Sequence, residues 1–230
     1  MEPINQIVSK VLSQVGEPQT KGRQPGTPMP KPYAEVWSEQ ISQFKTLGDQ
    51  ELVAMANATT EFVSSIQSRQ VEPYWLSLLG KSGTGKTMLA KMAMRFISRK
   101  CLLFSPGYGI NLTDQACAMK WPEMVREMKQ GNFEDADFLC DKERKWNGNV
   151  GCTCAYAFID DVGQVEDAQK SYLVSALGRI ADARLGAWTI WTSNLHLSQL
   201  AEIVDPRISS RMIRGSNVVV ETNCNDFNLR

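Results

Sequence analysis

The 230-residue chain has no apolar stretch approaching the ~20 residues that cross a bilayer, which excludes a membrane-spanning helix. Its start, Met1-Glu2-Pro3-Ile4-Asn5-Gln6, lacks the basic opening and apolar block of a secretion signal. A cytoplasmic setting is therefore expected, bacterial or, for a phage-encoded chain, in the host. An excess of one charge sign is missing as well: 25 basic and 25 acidic residues cancel, so no global field draws the chain to nucleic acid or anionic lipid. Any DNA contact must then be local or assembled by oligomerisation. Paired C-x₂₋₄-C spacing is absent from the six cysteines. A zinc site from Cys140, Cys152 and Cys154 would have only a C-x-C and one distant thiol, so reduced cysteines serving as small apolar residues are the expectation. Histidine is nearly absent, and the one that occurs, His196, reads as a turn residue rather than a base. No internal repeat is visible.

What is present suffices for a folded domain with a short extension: 43% of the residues are hydrophobic. Residues 1–16 predict an amphipathic helix, with Ile4, Ile7, Val8, Val11, Leu12 and Val15 at helical spacing, Pro3 in its first turn and Gly16 as its stop. Residues 17–32 are rich in proline and glycine and predict an extended tether reaching up to about 50 Å. A helix this short needs a cover for its apolar stripe, either a partner protein or the chain's own domain. Residues 33–230 form the main domain. It opens with two helical patterns, one carrying Val36, Trp37, Ile41 and Phe44, the other Leu52, Val53, Ala56, Phe62, Val63 and Ile66. Short apolar runs then alternate with helical stretches at Trp75–Leu79, Cys101–Phe104, Ala155–Ile159, Trp188–Thr192 and Val218–Glu221. This alternation predicts a three-layer α/β domain with a five-stranded, mainly parallel sheet.

The most specific signal is Gly80-Lys81-Ser82-Gly83-Thr84-Gly85-Lys86-Thr87, placed between the first apolar run and a helical pattern carrying Met88, Leu89, Met92, Ala93, Phe96 and Ile97 on one face. The glycines let backbone N–H groups close around phosphates, Lys86 meets the β and γ oxygens, and Thr87 offers a hydroxyl to Mg²⁺. A nucleoside triphosphate with Mg²⁺ is the ligand this motif implies; no base-reading motif is visible, and ATP is the expected nucleotide. The third apolar run ends in Asp160-Asp161, at a strand tip where ligands of α/β sheets gather. Asp160 is assigned to Mg²⁺ and Asp161 to the attacking water. Asn194, beyond the fourth run, would sense the γ-phosphate or position water. Arg207, Arg211 and Arg214 fall on nearly one helical face, and a spare arginine there suits a finger offered to a neighbour's nucleotide.

Taken together, Gly80–Thr87, Phe158–Gly163, Thr192–Leu195 and Arg207–Met212 resemble the AAA+ ATPase module of the DnaC/DnaI helicase loaders and the related IstB-type transposition ATPases. The resemblance runs from about Pro73 to the C-terminus. It implies a 5-1-4-3-2 strand order, sensor-1 status for Asn194, an arginine finger at Arg211 with Arg207 as the second arginine of that box, and head-to-tail self-assembly. With nine residues after Glu221, a C-terminal lid domain is not expected. The implied function is loading of a replicative DNA helicase, gripped by the N-terminal helix, onto single-stranded DNA. A transposition helper ATPase and a small-molecule P-loop kinase are the alternatives. Single-strand contacts are expected between the second and third strands, where Lys120-Trp121, Arg126, Lys129 and Lys142-Glu143-Arg144-Lys145-Trp146 set basic groups beside aromatics.

Overall fold

The computed structural model describes residues 33–46, 49–67, 74–103, 116–140, 144–146, 149–151, 156–163 and 171–224. The expected helix within 1–16 and the tether 17–32 lie outside the described residues. The two leading helical patterns become α1 (Tyr33–Thr46) and α2 (Gln50–Gln67). The chain then enters β1 (Trp75–Gly80), whose six residues are all buried, as a strand covered on both faces requires. After the glycine-rich turn comes α3 (Lys86–Leu103), followed by β2 (Ala116–Lys120), α4 (Trp121–Lys129) and α5 (Glu134–Cys140). A small antiparallel pair, β3 (Arg144–Trp146) with β4 (Asn149–Gly151), precedes β5 (Tyr156–Asp160). The remainder is α6 (Ser171–Ala183), β6 (Trp188–Thr192), α7 (Leu197–Ile203), α8 (Pro206–Met212) and β7 (Val218–Thr222).

The main sheet runs β2-β5-β6-β1-β7 with every pairing parallel. Counting only its own five strands, the order is 5-1-4-3-2, as expected. Strand alternation divides the core into two layers. Leu76 and Leu78 of β1 meet Trp37, Leu52, Phe62, Leu89 and Phe96 from α1, α2 and α3. Trp75 and Leu79 face the other way, toward Trp121, Met124, Leu139, Leu177 and Ile208. Trp75 of β1 and Trp191 of the neighbouring β6 touch on that face with ring centroids 5.1 Å apart.

Three expectations are corrected. The second strand is Ala116–Lys120 rather than Cys101–Phe104, because α3 continues through Leu103 and Phe104 falls outside the described residues. A short apolar run without β-branched residues does not by itself distinguish strand from buried helix. Met88 was expected on the buried face of α3 but is 40% exposed, because it sits in the first turn beside the glycine-rich loop. Cys117 is disulfide-bonded, against the expectation of reduced thiols, while Cys140 and Cys224 are free. Of the proposed zinc ligands, Cys152 and Cys154 lie outside the described residues. Among the described residues, the one cluster of three His, Cys, Asp or Glu side chains close enough to share an ion is Asp49, Glu51 and Cys224.

The lower edge of the sheet, where the strands begin, is tied down by polar contacts. Buried Arg184 donates to the Thr189 hydroxyl at 3.0 Å and the Trp188 carbonyl at 2.9 Å, and its own carbonyl accepts from the Trp75 indole at 3.0 Å. At the same edge the Asn217 side chain accepts from the Trp75 N–H at 3.1 Å and donates to the Arg211 carbonyl at 2.9 Å. Arg211 is thereby fixed at the start of β1, whereas the glycine-rich loop leaves its end.

Candidate active site

The loop 80–87 is held open by backbone conformations that favour glycine. Gly80, Gly83 and Gly85 have φ values of 114°, 76° and 84°. Gly80 also leaves no room for a side chain, since a Cβ there would lie 1.9 Å from the Thr222 carbonyl oxygen. That carbonyl accepts from the Lys81 N–H at 3.2 Å, so the end of β7 fixes the loop's entry. Glu51 of α2 braces β7 in turn, accepting from the Thr222 hydroxyl at 3.2 Å and the Asn223 N–H at 2.6 Å. Among the described residues, no acceptor meets the N–H groups of Ser82, Gly83, Thr84 or Gly85. These donors stand at the start of the 18-residue α3, where the helix dipole adds positive potential.

Lys86 is only 4% exposed. Its ammonium donates to the Gly80 carbonyl at 2.7 Å, to the Lys81 carbonyl and to the Thr84 hydroxyl at 3.3 Å. These neutral acceptors replace water incompletely, and burial lowers its pKa to about 8, although Asp161, Cys224 and Asp160 pull it back up. A buried cation beneath a ring of unpaired N–H donors fits a polyphosphate.

Beside it the Thr87 hydroxyl donates to Asp160 Oδ1 at 2.7 Å. Asp160, 2% exposed, also accepts from the Thr192 hydroxyl at 2.6 Å on the same oxygen. A hydroxyl and a carboxylate in contact at the phosphate loop are the oxygen donor set that Mg²⁺ takes, so the residues fit the ion that the motif implies. Asp161 adopts a left-handed φ of 57°, a strained choice for a residue with a side chain. The turn is kept by β6: Asp161 N–H donates to the Thr192 hydroxyl at 3.0 Å, and Val162 N–H to the Thr192 carbonyl at 2.8 Å. Burial first, then the neighbouring Asp160 carboxylate, pushes Asp161 above the usual carboxylate range, while Lys86 and Lys120 oppose the shift. Asn194 donates through Nδ2 to Asp161 Oδ1 at 3.3 Å.

The structure thus brings Lys86, Thr87, Asp160, Asp161 and Asn194 to one edge of the sheet. It does not bring Arg207 or Arg211 there. Five residue steps of β1 separate Arg211's anchor at Trp75 from Gly80, about 16 Å and beyond the reach of an arginine side chain. Arg207 grips Asp205 with both ends of its guanidinium, Nη2 to Oδ2 at 2.7 Å and Nε to Oδ2 at 3.0 Å. The Arg211 guanidinium donates to Asp182 at the end of α6. Arg214 does not share a helical face with them, because α8 ends at Met212 and the chain turns through Gly215 at φ 63°.

Two features had not been read as functional. Thr192 is central to the site, and the β5–β6 register that pairs Ile159 with Trp191 sets it beside Asp160. Glu51 reaches the loop's support from 171 residues away in sequence, a distance no local pattern reveals. The expected aromatic platform at Trp121 is corrected: the ring is 2% exposed, because Trp121, Met124, Val125 and Met128 form the buried stripe of α4. Lys120 and Glu123 pair at 2.8 Å on the surface, and the side chains of Arg144, Lys145 and Trp146 lie outside those described. His196 stands at the N-cap of α7, in keeping with a turn role, and its N–H donates to the Gln199 side chain at 2.9 Å.

No protein-family model matches the chain, and no curated protein matches it. Solved structures do. The crystal structure of DnaI superposes with a TM-score of 0.51 at 22% identity, covering 75% of this chain and 85% of that one. The replication initiator DnaA bound to AMPPCP and single-stranded DNA aligns with a TM-score of 0.49 at 20% identity, covering 72% and 45%. AMPPCP-bound DnaA from Aquifex aeolicus gives 0.49 at 21% identity, covering 70% and 44%. The chain therefore spans less than half the length of the DnaA chains it matches. With the topology described above, the DnaI likeness defines the fold: a three-layer α/β domain with a five-stranded parallel sheet.

Proposed function

We propose that the chain is an ATP-dependent DNA replication helicase loader, which binds a replicative helicase through residues 1–16 and places it on single-stranded DNA. The observation that carries the reading is the convergence of Lys86, Thr87, Asp160, Asp161 and Asn194 on the open loop. The loop N–H groups and Lys86 would hold the phosphates of ATP, with Thr87 and Asp160 holding Mg²⁺. Bound there, the metal would neutralise charge on the β and γ oxygens. Asp161 accepts the proton of the attacking water, and its raised pKa makes it a better base than an ordinary surface carboxylate. Asn194 orients Asp161 and the water between them.

Arg211, with Arg207 beside it, acts on the nucleotide of a neighbouring copy in a head-to-tail assembly. Within one chain the sheet separates it from the loop, and it must first release Asp182. This arrangement makes hydrolysis depend on assembly.

The test is to mix the purified chain with its cognate hexameric helicase and run the mixture through size exclusion. A complex that forms with ATP and is lost on deletion of residues 1–16 supports the reading, and a complex unchanged by the deletion rejects the hook. Binding to a transposase instead would favour a transposition helper of the IstB type. Phosphate release with single-turnover kinetics in a strictly monomeric protein would favour a kinase-like or switch role.

A further inference from the structure

The phosphate loop is held from outside as well as from within. Gly80 and Lys81 supply the two carbonyls that accept from the Lys86 ammonium, so their placement sets where that cation stands. Both are locked to Thr222 of β7, which pairs with Gly80 in register and accepts from the Lys81 N–H at 3.2 Å. The end of β7 is held in turn by a side chain from another element. Glu51 Oε2 accepts from the Thr222 hydroxyl at 3.2 Å and from the Asn223 N–H at 2.6 Å, the second a charge-assisted bond. Glu51 itself has little freedom. Asp49 caps α2, accepting through Oδ1 from the Glu51 N–H at 3.0 Å and the Leu52 N–H at 3.4 Å, while Leu52, Met55 and Ala56 are fully buried in the layer that contains Leu76 and Leu78.

We propose that Glu51 is a positioning residue of the nucleotide site: through the end of β7 it holds Gly80 and Lys81, and with them Lys86, at the spacing that the phosphates of a nucleotide require. The inference rests on the nucleotide reading of the loop given above. Glu51 is poorly placed to serve as a surface charge. Its carboxylate, that of Asp49 and the Cys224 sulfur lie within 4.8 Å of one another, and among the described residues no lysine or arginine pairs with it. A carboxylate set beside a second carboxylate without a cation costs free energy, and what offsets the cost is the pair of bonds to β7. α2 packs on both α3 and β7, so Glu51 makes the helices ahead of β1 part of the loop's support. A loop already held in its open shape gives up less freedom when a ligand arrives, and this gain belongs to binding rather than to the bond-breaking step.

The experiment uses the full chain with Mg²⁺ and a non-hydrolysable ATP analogue. Glu51→Asp keeps the charge but draws the carboxylate back by one methylene. It is expected to weaken binding on the order of tenfold, while kcat at saturating ATP stays within about twofold of the parent. Glu51→Gln keeps an acceptor oxygen at full length and should recover most of the affinity. In the free protein, backbone hydrogen exchange at residues 80–82 should quicken in Glu51→Asp and that of β6 should not, a local effect that general destabilisation would not produce. Thr222→Val removes the hydroxyl but leaves the carbonyl, should weaken binding in the same direction, and serves where Glu51→Asp folds poorly. Parent-like affinity in Glu51→Asp, a loss that Glu51→Gln does not recover, or exchange that quickens evenly across the sheet overturns the inference about Glu51, while nucleotide binding by the parent stands. A parent chain that binds no nucleotide overturns the reading of the loop, and this inference with it.

Discussion

Burial of Lys86 should leave a signature in the pH dependence of nucleotide binding. A lysine near the reference value keeps its charge throughout the neutral and mildly alkaline range. Lys86 has a pKa of about 8 without nucleotide, with burial as the leading cause. Phosphates require the ammonium form, so binding above this pKa must draw in a proton. Affinity for Mg²⁺ and an ATP analogue should therefore be nearly level up to pH 7 and fall about tenfold by pH 9, roughly 1.4 kcal/mol, with one proton taken up per site. Folding stability should move the opposite way in the same window. A lowered lysine pKa means the unfolded chain holds more protons between about 8 and the ordinary lysine value, so the free chain becomes more stable as pH rises. Fluorescence titration across pH 6.5–9.5 gives the affinity curve. Calorimetry in buffers of different ionisation enthalpy counts the protons. Lys86→Arg, which stays charged throughout, should flatten the curve. An affinity that does not change from pH 7 to pH 9.5 in the parent protein would mean that burial does not depress the Lys86 ammonium.

Other outcomes follow from the same geometry. Thr192→Val removes the donor to Asp160 and the acceptor of the Asp161 N–H, and should cost about 1–3 kcal/mol in urea unfolding and weaken Mg²⁺-dependent turnover at least tenfold. Gly80→Ala should destabilise by about 2 kcal/mol or more in thermal melts, because the added methyl meets the Thr222 carbonyl and the residue stays at positive φ. Trp121→Ala should cost about 3–5 kcal/mol through the cavity it leaves. Trp121→Phe should not change single-strand affinity in an anisotropy assay with a labelled oligonucleotide, since the ring is buried.

Local pattern revealed the elements of the site well and their connections poorly. Gly80–Thr87 and Asp160-Asp161 were legible because phosphate and metal chemistry demand particular residue types at fixed spacing, and the fold sets the Thr87 hydroxyl against Asp160. The sheet order was legible only through resemblance, since no single strand states which neighbour it will take. Cys101–Phe104 misled because a short apolar run suits a buried helix as well as a strand, and α3 continues through Leu103. Trp121 misled because a charged neighbour in sequence says nothing of which way a helix turns its ring. The states of Arg207 and Arg211 depend on Asp205 and Asp182, the latter 29 residues from its partner, and these pairings exist only after the chain has folded. Thr192 is an intermediate case: its type was plain in the sequence, but its role appears only when the β5–β6 register sets it against Asp160.

The proposed function depends on the loop ahead of α3 binding a magnesium nucleotide through Lys86, Thr87 and Asp160. It is tested most directly by equilibrium titration of the full chain with a non-hydrolysable ATP analogue, with and without Mg²⁺, beside Lys86→Ala and Asp160→Ala. Saturable binding near one per chain in the parent, weakened without the metal and in Asp160→Ala and abolished in Lys86→Ala, is the predicted result. Absence of saturable binding in the parent at millimolar nucleotide, or binding unchanged by Lys86→Ala, would contradict it.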